Sequence, residues 1–67
     1  MQLFFVDKEK NTSTLLVNTK EDQEIFRSIE RCSMEHGLGL IYMIHHIEKN
    51  KIYYEVGSDN YYFVVEI

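Results

Sequence analysis

Apolar and polar positions along the chain change their period twice. Residues 2–7, QLFFVD, form a short β-rich run, and the polar KEKNTS that follows reads as a loop. TLLVNT (14–19) is a second run of the first kind, so the two predict an antiparallel hairpin. The period then becomes helical. Ile25, Ile29, Cys32 and His36 fall on one face with Phe26 at its edge, while Lys20, Glu24, Arg27, Arg31 and Glu35 occupy the opposite face. Thr19 is the expected cap, with Asp22 three residues on, and Glu21 and Asp22 place negative charge where a helix dipole favours it. Gly37 supplies the stop. Strand character resumes from about Leu38 to Ile47. EKNK turns the chain, IYYEV (52–56) returns, GSDN (57–60) turns it again, and YYFVVEI (61–67) closes it.

This order predicts an α+β fold in a single domain over residues 1–67: ββαβββ, a mainly antiparallel five-stranded sheet with the helix laid on one face. The expected core is Phe4, Val6 or Phe5, Leu15 or Leu16, Ile25, Ile29, Cys32, Ile44, Tyr54 and Phe63. Several strands are apolar on both faces. Leu40, Tyr42 and Ile44 alternate with Ile41, Met43 and Ile47, and Tyr61, Phe63, Val65 and Ile67 with Tyr62 and Val64. One helix covers one face, so a sheet of this kind wants a second cover. The uncovered face, or a strand edge, is therefore the expected protein-binding surface; the plainer alternative is that twist and loops cover it.

Composition sharpens this picture. A chain of 67 residues buries only about 60% of the surface it exposes when unfolded, so outside help with stability is expected. Cys32 is the only cysteine, which removes an internal disulfide and any zinc site built on two thiols. A partner, either a larger protein or a second copy in a homodimer, becomes the natural source of that help. A lone thiol, no visible signal peptide and no apolar run near the roughly 20 residues of a bilayer span point to a cytoplasmic protein without a membrane role. The net charge of −4 argues against direct nucleic-acid binding, which needs a basic face.

Few residues suggest chemistry. His45 and His46 are adjacent in a strand and project to opposite faces, so they do not share a metal ion; no metal ligands and no cofactor are assigned. Cys32 and His36 are helical neighbours and could begin a nucleophile–base pair. Both lie on the apolar stripe, however, where a thiol acts as a small inert hydrophobe, and no catalytic residue is assigned. The lysine-bearing loops DKEKN and EKNK, like Gly37 and Gly39, match no phosphate-binding pattern.

The partner-binding candidates are Glu24, Glu30 and Glu35 on the helix, together with Tyr42, Tyr53 and Tyr62 in the strands. Carboxylates on the helix, with Asp59, Glu55 or Glu66, could imitate nucleic-acid phosphates before a basic groove. Tyrosine buries a large area while keeping a polar tip, and alternation places at least two tyrosines away from the helix. The expected function is that of a small non-enzymatic protein-binding module, with a homo-oligomeric or regulatory subunit as the alternative and a thiol enzyme third. In size, acidity and lack of a catalytic signature the chain resembles, as a class, small inhibitors encoded by phages and mobile elements, such as anti-CRISPR proteins. The resemblance implies a large nucleic-acid-handling target and carries over no individual residue.

Overall fold

The computed structural model describes residues 1–38, 43–56 and 59–67, with the backbone alone for 43–46. Its elements are β1 (Gln2–Asp7), β2 (Thr12–Asn18), α1 (Asp22–Glu35), β3 (Met43–Glu48), β4 (Lys51–Glu55) and β5 (Tyr61–Glu66). The strands form one sheet in the order β2-β1-β5-β4-β3, and every neighbouring pair is antiparallel. The α+β arrangement ββαβββ expected from the sequence is the one observed. The hairpin β1–β2 and the meander β3–β4–β5 join through β1 and β5, the first and last strands in the chain.

Side-chain alternation divides the sheet into two faces. Leu3 pairs with Val65, and Phe5 with Phe63, which also lies opposite Tyr54. These residues, with Val56, meet Ile25, Ile29 and Cys32 of α1 in one buried cluster. Leu3, Ile29, Val56 and Phe63 are fully buried there. Phe5 sets its ring tilted against that of Phe63 with centroids 5.1 Å apart, and Phe26 meets Tyr54 edge-on at 6.1 Å. The core thus takes Phe5 rather than Phe4 or Val6, which are half-buried on the other face. The run LFFV is apolar on both faces, so parity alone could not choose between them. Leu3, Val56 and Val65 join the core although the sequence pattern did not single them out. The expected contribution of Ile44 lies outside the described residues, as do Leu40, Ile41 and Tyr42, the side chains of Met43, His45 and His46, and the turn residues Gly57 and Ser58.

A bulge in β2 explains how Leu16 enters the core. Val17 lies opposite Leu3 and Leu15 opposite Phe4, leaving Leu16 as an extra residue. Leu16 and Val17 both pack against the cluster, whereas Leu15 is turned to the other face and is 49% exposed.

The helix begins later than its expected cap. Thr19 accepts the N–H of Glu21 on Oγ1 at 3.2 Å, which makes a turn ahead of the helix. Glu21 holds the cap position without a side-chain hydrogen bond. At the other end Leu38 N–H donates to Ser33 O at 2.7 Å and Gly37 N–H to Met34 O at 3.2 Å, with Gly37 at φ 66°. That is a Schellman ending, and glycine takes the left-handed position without a Cβ penalty.

Between the strands, Asp7 organises the β1–β2 turn. Its Oδ1 accepts Glu9 N–H at 3.0 Å, Lys10 N–H at 3.1 Å and Asn60 Nδ2–H at 3.1 Å. Asn60 returns an acceptor to Glu9 N–H at 3.0 Å, and its carbonyl accepts Lys8 N–H at 2.8 Å. Two turns far apart in sequence are thereby fixed to one another. Asn11 completes the hairpin at φ 53°, a conformation that asparagine tolerates better than most residues.

Candidate functional site

The face of the sheet turned away from α1 is built by the other half of the alternation. Phe4 and Tyr53 flank Val64 from the neighbouring strands, and Val6 and Glu55 flank Tyr62. Leu15 continues the row beyond Phe4 on β2. An apolar band therefore crosses four strands: Leu15, Phe4, Val64, Tyr53. Val64 is buried to 8% exposure although no described element packs over it, because its neighbours close around it laterally. Tyr62 lies beside this band, its ring 6.1 Å from that of Tyr53.

Charges of both signs rim the band. Lys8 places its ammonium 5.4 Å from the centre of the Tyr62 ring, a cation–π contact that fixes the ring from the solvent side. Lys51 pairs with Glu66 at 3.4 Å. The hydrogen bond it donates to that carboxylate, foremost, and the carboxylate's charge hold the exposed Lys51 ammonium above the usual lysine range. Lys8, Tyr53, Glu55 and Tyr62 enclose a shallow depression of about 260 Å³. An apolar, aromatic centre inside a polar, charged rim is an arrangement that protein interfaces also have.

The predicted partner-binding residues separate into two surfaces. Tyr53 and Tyr62 come together on the open face of the sheet, whereas Glu24, Glu30 and Glu35 ride on α1 behind it. Glu24 is occupied by Arg27 at 3.3 Å. Glu55 and Glu66 belong to the tyrosine face and not to the helix, so the carboxylates do not form one continuous acidic surface. Tyr42 lies outside the described residues. Phe4, Val6, Leu15, Val64 and Lys8 belong to the open face and were missed. Parity within each strand held the signal for most of them, but the cross-strand register that brings the strands together is not written locally.

On the helix side, Cys32 and His36 do meet, with Sγ 3.7 Å from Nδ1. The same Nδ1 lies 2.9 Å from the Cys32 carbonyl oxygen. A carbonyl only accepts, so in the tautomer that makes this bond Nδ1 carries the proton and is not free to take one from the thiol. Burial, then the nearby Glu35 carboxylate, pushes the Cys32 thiol up from its ordinary pKa. His36 instead completes an aromatic group, 4.7 Å from Phe5 and 5.9 Å from Tyr61. The arrangement preserves a thiol; it does not generate a thiolate.

Beside this group a cleft of about 420 Å³ opens between α1 and the β1–β2 hairpin. Its walls mix Lys10 and Arg31 with Asp7 and Glu35, over a floor that includes Phe5 and Tyr61. Among the described residues no three His, Cys, Asp or Glu side chains are grouped to hold a metal ion, and no described helix is long and apolar enough to cross a membrane. Comparison with protein-family models, with curated proteins and with solved structures finds no match to this chain.

Proposed function

We propose that the protein is a small non-enzymatic binding module that occupies a surface of a larger protein partner with the open face of its sheet. The observation that carries this reading is the band Leu15, Phe4, Val64 and Tyr53, with Tyr62 beside it, on a face that no described element covers. Tyrosines clustered at the centre of such a patch are the residue type that most often supplies binding energy. The acidic balance of −4 adds a second contribution. It draws the module toward a basic partner, such as the groove of a nucleic-acid-handling complex, and raises the encounter rate without itself setting the affinity. Inhibition of such a complex by occupation, in the manner of the phage-encoded inhibitors the chain resembles as a class, is the specific role we assign.

The test compares two variants with the native chain in capture from the lysate of its own cell. Tyr53→Ala with Tyr62→Ala should lose the stoichiometric partner while keeping the native circular dichroism spectrum. Glu24→Lys with Glu30→Lys and Glu35→Lys should slow association and weaken its salt dependence. Partner recovery unchanged by the tyrosine pair would refute the open face as the binding surface. An association rate and salt dependence unchanged by the glutamate triple would refute the electrostatic contribution of the helix.

A further inference from the structure

Strand β2 forms one edge of the sheet, and its sequence TSTLLVN carries no charged residue. The other four strands each contain at least one: Asp7, Glu48, Lys51 and Glu55, and Glu66. Edge strands are ordinarily blunted by charge or proline, because their outward N–H and C=O groups invite another strand. Here blunting is limited to a bulge at Leu16, which leaves Thr12–Leu15 regular and exposed. The apolar band of the open face also ends on this edge, at the half-exposed Leu15.

We infer that β2 is a self-pairing edge, at which a second copy of this chain adds antiparallel to form a continuous ten-stranded sheet. Three observations favour a second copy over a foreign strand. A two-fold axis perpendicular to the sheet brings the residues nearest to it close to their own equivalents, so a charge near the middle of the strand would meet its like, and β2 has none. A chain of net charge −4 repels its copy through its acidic surfaces, and an uncharged strand lets two copies meet without adding to that repulsion. The bulge then limits the register to the regular stretch ahead of it. Before it, Ser13 and Leu15 share the open face and Thr12 and Thr14 the helix face. Faces match only if a residue lies on the axis, and an axis at Thr14 sets Thr14 against Thr14, Ser13 against Leu15 and Thr12 against Leu16. The two copies of Leu15 become diagonal neighbours, and the apolar band runs unbroken from one copy into the other.

The seam is short, so the dimer is expected to dissociate in the micromolar range. It is tested by light scattering on the purified chain at about 1 µM to about 1 mM. The mass should rise with concentration from 8.1 kDa toward twice that value. Leu15→Lys, and independently Ser13→Glu, should hold the chain at the monomer mass with unchanged circular dichroism. Tyr53→Ala with Tyr62→Ala should still dimerise, which separates this inference from the open-face reading above. In the native chain, amide hydrogen exchange in Thr12–Leu15 should slow as concentration rises. A native chain that stays at 8.1 kDa throughout overturns the inference, as does a dimer that survives both charged variants.

Discussion

Truncating Phe4 and Phe5 separately gives the most direct test of how the sheet is oriented. The two are identical in chemistry and adjacent in sequence, and they differ only in the face they occupy. Phe5 is 8% exposed and touches Phe63, Tyr61 and His36 through its ring, so Phe5→Ala leaves a hole that α1 and β5 cannot both close. The loss should be about 3–5 kcal/mol. Phe4 has only its strand neighbours for cover, and Phe4→Ala loses part of a burial worth about 1.5–3 kcal/mol in full, with no sealed cavity, so about 1–2 kcal/mol is expected. A domain of 67 residues has a total stability of about 3–10 kcal/mol, so Phe5→Ala is expected to leave little folded protein. Phe5→Leu, at about 1 kcal/mol, keeps the comparison measurable, against a change for Phe4→Leu of less than about 0.5 kcal/mol. The assay is urea unfolding followed by circular dichroism, with midpoints compared at constant slope. In thermal unfolding each kcal/mol should appear as a shift of about 4–8 °C. Equal losses for the two positions, or a larger loss at Phe4, would refute the assignment of the core to the Leu3–Phe5–Asp7 side of β1.

Further expectations concern single contacts. The Cys32 thiol should react slowly with iodoacetamide in native protein and rapidly after denaturation. Because its pKa is raised on folding, the stability it contributes is intact below the ordinary thiol pKa and is lost as pH climbs through the raised value; the difference in unfolding midpoint between native chain and Cys32→Ala should therefore shrink in alkali, and a constant difference would contradict this. Asp7→Ala removes the acceptor shared by three donors, of which Glu9 N–H keeps Asn60 Oδ1, and should cost about 1–3 kcal/mol, with faster amide exchange at Glu9 and Lys10. Combining it with Asn60→Ala should cost less than the sum of the two, because they share a bond. Gly37→Ala should lower stability by about 1 kcal/mol through its left-handed backbone, since among the described residues no atom beyond the chain neighbours lies within 4 Å of the added methyl; no loss would indicate that the helix end relaxes.

Element types were legible in the sequence because each carried its own local period. The β-rich run 2–7 coincides with β1, and Ile25, Ile29 and Cys32 mark the buried face of α1. What stayed hidden depends on register between strands. Nothing local distinguishes Phe4 from Phe5 inside LFFV, and nothing in TLLVN signals that Leu16 is the bulge. The helix starts later than its cap chemistry implies for a related reason. Thr19 has cap chemistry and uses it, but on the turn two residues ahead of the helix. Of the candidate site, the aromatic type was visible, whereas the meeting of Tyr53 with Tyr62 and its separation from Glu24, Glu30 and Glu35 required the pairing of β4 with β5.

The adjacency of β1 and β5 also governs how the chain reaches this structure. Gln2 must find Glu66, and Phe5 must find Phe63, before the fully buried ring at the centre of the sheet has a floor. The β1–β2 hairpin and the β3–β5 meander can each close short loops early, but neither half contains a complete core. The joining step closes nearly the whole chain into one loop, so the largest entropic toll falls late in assembly, just ahead of most of the burial that repays it. Folding should accordingly be slower than in a helical bundle of equal length, and it should be all-or-none, with neither half persisting once β1 and β5 part.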